Sequence, residues 1–206
     1  MYKAFTSARQ IVIASAAAVA LVLSSSAMAG KEGKVVPGKP GPLNIVEIAL
    51  NVNSTLNEFD YLLGAILCLG PLDDNPVVDL LSGTDKYTLF APTDAAFEAL
   101  QGALGITTPS PEKTCAVDEI FGDGTLFTVL AYHVTDGRRF SNSVFNVKNN
   151  KEIDMLAGGY ITTTPALSII DGVPQVIGLV PPLFNINASN GVIHVIDTVM
   201  LPFNPF

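Results

Sequence analysis

Residues 87–97, YTLFAPTDAAF, decide how this chain is read. Residues 87–91 are aromatic, β-branched and aliphatic, the composition of a strand that fits a buried pleated surface. Pro92 ends that ladder, and the small residues after it open a helix that runs through Leu100. Thr93 or Asp94 caps this helix by accepting a backbone N–H in its first turn. The elbow thereby sets Phe90 in a sheet and Phe97 and Leu100 beneath a helix, so its purpose is architectural.

Upstream the pattern is helical. Asn44 caps a helix whose apolar positions Ile45, Ile48 and Ala49 recur at helical spacing, and residues 59–69 repeat the pattern more strongly. Gly70-Pro71 ends the second helix. Residues 72–76, with Asp73 and Asp74, form a loop, and residues 77–82 are a short apolar segment before the turn Gly83-Thr84-Asp85.

Downstream, residues 102–114 form a second loop holding Pro109 and Pro111, and residues 125–134 read as a helix bearing Phe127, Leu130 and Ala131. Beyond Gly137 the character changes. Residues 144–147, 152–156, 160–164, 167–170 and 175–180 are short β-rich runs divided by Gly, Asn and Pro. Asn190-Gly191 signals a hairpin because both residues tolerate positive φ, and VIHVIDTVML after it is apolar on both faces, as a deeply buried strand would be. Helices followed by strands, with no internal repeat, indicate an α+β fold.

The first 29 residues stand apart. Lys3 and Arg9, an apolar run over residues 11–23 and Ala27-Met28-Ala29 have the order of a secretory signal peptide, so cleavage is expected after Ala29. Residues 30–42 are a Gly-, Pro- and Lys-rich leader, and one domain is expected over residues 43–206. Without Lys3 and Arg9 the mature chain carries 9 basic and 19 acidic side chains, a formal charge of −10. Such a surface argues against nucleic acid and anionic membranes, whose phosphates demand basic patches. The mature chain is expected to be secreted, with no stable membrane insertion.

Cys68 and Cys115 are the only cysteines. In an exported chain an isolated pair is bridged, and closing a loop of this length stabilises by roughly 4 kcal/mol in the chain-entropy picture.

Two separated segments make a recognisable pair. Residues 87–97 resemble the first signature block of fasciclin domains, and NGVIHVIDTVMLP at residues 190–202 resembles the second. Between them, Leu130-Ala131-Tyr132-His133-Val134 is similar to that family's tyrosine-histidine segment. The resemblance covers residues 43–202. It implies a β-sandwich-like wedge flanked by several α-helices, and extracellular adhesion or matrix interaction rather than enzymatic activity. In animal members the tyrosine-histidine segment is associated with integrin binding, which marks Tyr132 and His133 as the candidate partner-binding pair.

Little else in the chain carries chemistry. His133 and His194 are the only histidines, and no G-x-S-x-G elbow accompanies a serine, so no catalytic set is expected. Strand alternation puts His194 on the face opposite Asp197, where it reads as a core histidine satisfied by backbone. Asp73, Asp74 and Asp79 fit no calcium loop and read as a solvated turn, so neither metal nor cofactor is expected. Asn53 and Asn187 head glycosylation acceptor patterns that matter only in a eukaryotic producer. The apolar run at residues 177–186, with its Pro-Pro break, reads as core strand interrupted by a bend.

The function expected is therefore non-catalytic binding of a cell-surface or matrix protein or a polysaccharide. Self-association is open to it, since one copy bridges two surfaces only by dimerising or by using two faces. The alternative is carriage of a small lipophilic ligand such as a carotenoid, a use reported for some fasciclin-like proteins.

Overall fold

The computed structural model describes residues 41–204. The expected signal peptide at residues 1–29 and nearly all of the leader at residues 30–42 lie outside the described residues.

Three helices come first: α1 (Ile45–Leu56), α2 (Asp60–Cys68) and α3 (Pro76–Ser82). α1 starts at the predicted cap. The Asn44 side chain accepts the Glu47 N–H at 2.9 Å, and the Glu47 carboxylate accepts the Asn44 N–H at 2.8 Å, a capping box. Residues 77–82, read from sequence only as apolar, are helical because Asn75 accepts the N–H groups of Val77 and Val78 while Pro76 occupies the first position. The same Asn75 donates to the carbonyls of Ile66 and Gly70, which ties α3 to the end of α2.

The elbow follows as β1 (Tyr87–Pro92) and α4 (Asp94–Ala103). A 3₁₀ turn (Pro111–Cys115) lies within the expected loop, and α5 (Ala116–Phe121), α6 (Thr125–Ala131) and β2 (Val134–Asp136) complete this half. The helix expected through Val134 stops at Ala131, because residues 134–136 pair antiparallel with β1. The strand expected at residues 144–147 is also corrected. Val144 closes α7 (Ser141–Val144), donating its N–H to the Phe140 carbonyl, and only Val144 and Phe145 of that run are buried.

The remaining runs are strands: β3 (Lys151–Asp154), β4 (Tyr160–Thr163), β5 (Ser168–Ile170), β6 (Val176–Gly178), β7 (Ile186–Ala188) and β8 (Gly191–Ile196). One sheet has the order β2-β1-β8-β7, with β1 and β8 parallel at its centre; the other is the antiparallel meander β3-β4-β5-β6.

Every residue of β1 and β8 is buried, because the first sheet is covered on both faces. Leu89, Ala91, Ile193 and Val195 join the core under the helices, whereas Phe90 and Ile196 point the other way into a second core with Ile153, Ile161, Ile169 and Ile177 of the meander. Helices, first sheet and second sheet are thus three layers in an α+β fold, and residues 177–186 cross between them. Ile177 packs in the meander, Leu179 bridges to Ile196, and Val180, Leu183 and Ile186 lie against the helical core.

The hairpin at Asn190-Gly191 is real but shifted by one residue. Ala188 pairs with Gly191, so Ser189 and Asn190 form its turn, and neither Asn190 nor Gly191 has positive φ. Glycine is required at 191 for space: a Cβ there would sit 2.2 Å from the Tyr87 carbonyl oxygen and 2.5 Å from Ile45 Cδ1.

The predicted disulfide is formed. Cys68 and Cys115 bridge α2 to the 3₁₀ turn with their Cα atoms 5.4 Å apart. Gly64, one helical turn before Cys68, lets the two segments meet, since a Cβ there would lie 2.5 Å from the Pro111 carbonyl oxygen.

Gly191→Ala is expected to lower unfolding free energy by about 2 kcal/mol, since overpacking a closed core costs about that much; a denaturant midpoint equal to that of the wild-type chain would show that the parallel pair has room to yield.

Candidate functional site

The sequence points to Tyr132 and His133, and the structure places both at the joint between the two sheets. They follow α6 directly, in the turn that leads into β2, with exposures of only 1% and 2%. Tyr132 enters the core of the meander and donates its hydroxyl to the Tyr160 carbonyl at 2.7 Å. Burial pushes its phenol up to about 12.

His133 uses both ring nitrogens. Nδ1 donates to the Val129 carbonyl at 2.7 Å, and Nε2 accepts the Met200 N–H at 2.9 Å, which fixes the neutral tautomer. Burial holds this imidazole well below its ordinary 6.5, at about 4. Its backbone is engaged too, since the His133 carbonyl accepts the Phe90 N–H of β1.

Sequence reasoning missed the third member of this joint, Asp171. Its carboxylate is buried and accepts four donors: the N–H groups of Val173, Gln175 and Leu201 and the Gln175 side-chain amide. Met200 and Leu201, consecutive in the chain after β8, therefore give their N–H groups to His133 and Asp171 respectively. The only signal in the sequence is Asp171-Gly172, which reads as an ordinary turn.

His194 lies where strand alternation put it. Nε2 donates to the Arg139 carbonyl at 2.8 Å, Nδ1 accepts the Asn185 N–H at 3.4 Å, and the ring stacks on Phe90 with centroids 5.6 Å apart. Burial lowers its affinity for a proton as well. Both imidazoles are consumed by backbone, so neither presents a free nitrogen to a substrate. Thr93 and Asp94 divide their roles: the Thr93 hydroxyl caps α4 by accepting the Ala96 N–H, whereas Asp94 accepts the Tyr61 N–H and so caps α2. Burial raises the Asp94 carboxyl above its usual range.

Asp73, Asp74 and Asp79 are exposed, and the described residues hold no group of three or more His, Cys, Asp or Glu side chains able to share a metal ion. Asn53 is a clip between α1 and α2, donating to Asp60 and accepting the Phe59 N–H, and Asn187 accepts from Arg138. Among the described residues, cavities of about 20 and 30 Å³ lie between the helices. Each has room for about one water, far below the several hundred Å³ of a site for a polyene. No helix among the described residues is long and apolar enough to cross a membrane.

A family model for the fasciclin domain matches residues 69–202. The chain belongs to the fasciclin domain family. This fasciclin domain is 33% identical over 126 residues to protein sll1483 of Synechocystis, covering 61% of each chain, and 31% identical over 160 residues to Synechocystis protein sll1735, covering 77% of this chain and 97% of that one. It is 30% identical over 132 residues to the immunogenic protein MPB70 of Mycobacterium bovis, covering 62% and 57%. The chain thus spans about three fifths of the length of sll1483 and of MPB70. Its fold is similar to the FAS1 domain pair of the insect cell adhesion molecule Fasciclin I, with a TM-score of 0.52 at 16% identity over 79% of this chain and 51% of that one.

The buried histidines make the fasciclin domain acid-sensitive. The unfolded chain takes up a proton at His133 near pH 6.5 while the folded chain refuses it until about 4, so stability is complete above 6.5 and falls as pH drops through that window. His133 alone supplies about 3 kcal/mol of this loss, with His194 acting in the same direction. The raised carboxyls of Glu58 and Asp94 oppose it near the bottom of the window. Urea midpoints should hold between pH 7.5 and 6.5 and then fall steadily to pH 4.5; a flat profile over the whole range would mean that the imidazoles protonate inside the fold without cost.

Proposed function

We propose that this chain is an exported, non-catalytic binding module that attaches to a macromolecule at a cell surface or in an extracellular matrix, through a protein or a polysaccharide. In this reading residues 1–29 direct export, residues 30–42 connect, and residues 43–206 are the single binding domain. The observation that carries it is the family membership over residues 69–202, in a fold shared with a cell adhesion molecule. A disulfide between Cys68 and Cys115 suits an oxidising, extracytoplasmic setting.

The interior supports the same reading. Tyr132 and His133 are buried with their polar atoms bonded inside the domain, so recognition falls to the outer surface rather than to these two side chains. Binding by a surface of ordinary interface size needs no cavity.

Mature protein carrying a fluorescent label should be retained on washed surface fractions of its producing organism and be displaced by unlabelled protein. Retention no greater than that of an unrelated acidic protein of equal size would remove the proposal. An absorption band or an added mass in protein recovered from that organism would instead revive a lipophilic cargo.

A further inference from the structure

The helical layer has an unusual charge. From Leu43 to Asp85 the chain holds seven carboxylates (Glu47, Glu58, Asp60, Asp73, Asp74, Asp79 and Asp85) and no lysine, arginine or histidine. This segment is α1, α2, α3 and their connections, and it therefore presents a single sign of charge to solvent.

The same layer leaves apolar side chains uncovered. Val46 and Leu50 lie one helical turn apart on α1, and with Leu63 of α2, Leu72 of the connection and Val78 of α3 they line the cavity of about 30 Å³. Leu50 is 38% and Leu72 39% exposed, and Leu67, one turn beyond Leu63 on α2, is 53% exposed. Glu47 follows Val46 in the chain, Asp73 and Asp74 follow Leu72, and Asp79 follows Val78, and all four carboxylates are exposed. An apolar strip across three helices whose own segment, residues 43–85, carries exposed carboxylates and no cation is complementary to a segment of the opposite design.

We infer that the groove between α1, α2 and α3 is a docking surface for a cationic amphipathic segment of a partner protein, one that places aliphatic side chains on Leu50 and Leu72 and lysine or arginine over Glu47, Asp73, Asp74 and Asp79. Apolar anchors spaced one helical turn apart match the groove, and flanking cations match its rim. A second copy of this acidic surface is repelled by it, and an anionic partner is excluded on the same ground. The inference rests on the binding-module reading and names the partner's chemistry.

The test uses the mature chain and three fluorescent peptides of fourteen residues: one alternating Leu and Lys at helical spacing, one with every Leu replaced by Ser, and one with every Lys replaced by Glu. The Leu/Lys peptide should bind, with an affinity that weakens as salt rises, and the other two at least ten-fold more weakly. L50S/L72S and D73N/D74N/D79N, checked for unchanged circular dichroism and melting temperature, should each lose ten-fold or more. Equal binding of the Leu-free peptide, undiminished binding to either variant, no binding at all, or self-association abolished by L50S/L72S would overturn the inference. If wild type and L50S/L72S are retained equally on native surface fractions, this groove is wrong while the binding-module reading stands.

Discussion

The Asn190 side chain is the interaction on which the three layers depend. Buried in the turn before β8, it accepts the Ile45 N–H at the start of α1 through Oδ1 at 2.9 Å, and donates through Nδ2 to the carbonyls of Leu81 and Gly83 at the end of α3, at 2.7 and 3.0 Å. Its own carbonyl accepts the Tyr87 N–H at the start of β1. One carboxamide thus satisfies a free donor of one helix and free acceptors of another, while the main chain of the same residue pairs with the start of the central parallel pair. A helix end buried without such partners would cost about 1–3 kcal/mol for each orphaned group.

The second joint, between the sheets, follows the same logic with different residues. His133 and Asp171 capture the consecutive N–H groups of Met200 and Leu201, and Tyr132 reaches across to Tyr160. Residues that look chemical in the sequence are here structural, because a layered fold with loops crossing between layers leaves backbone groups that only side chains can reach. The side chains left to solvent, chiefly carboxylates and scattered leucines on the helical face, are what remain for recognition.

Much of this was legible beforehand. The elbow, the Asn44 cap, the deep last strand, the disulfide and the backbone-satisfied His194 all follow from local rules: proline geometry, capping, two-sided hydrophobicity and compartment. What was not legible depends on distant partners. Residues 134–136 become a strand only because β1 lies alongside, α3 needs Asn75 to be seen as a cap that also reaches back to α2, and Asp171 gains meaning only when Leu201 arrives from the far end of the chain. Gly191 shows the same limit from the other side. Its identity is explained by the closeness of Tyr87 and Ile45, where the sequence suggested a requirement for positive φ.

If one buried carboxamide joins the helical layer to the sheet, the unfolding free energy of Asn190→Ala, measured together with amide exchange at Ile45, reports it. The expected result is a loss of about 3 kcal/mol or more, with the Ile45 amide exchanging much faster than in the wild-type chain. A loss below about 0.5 kcal/mol with Ile45 still protected would contradict it.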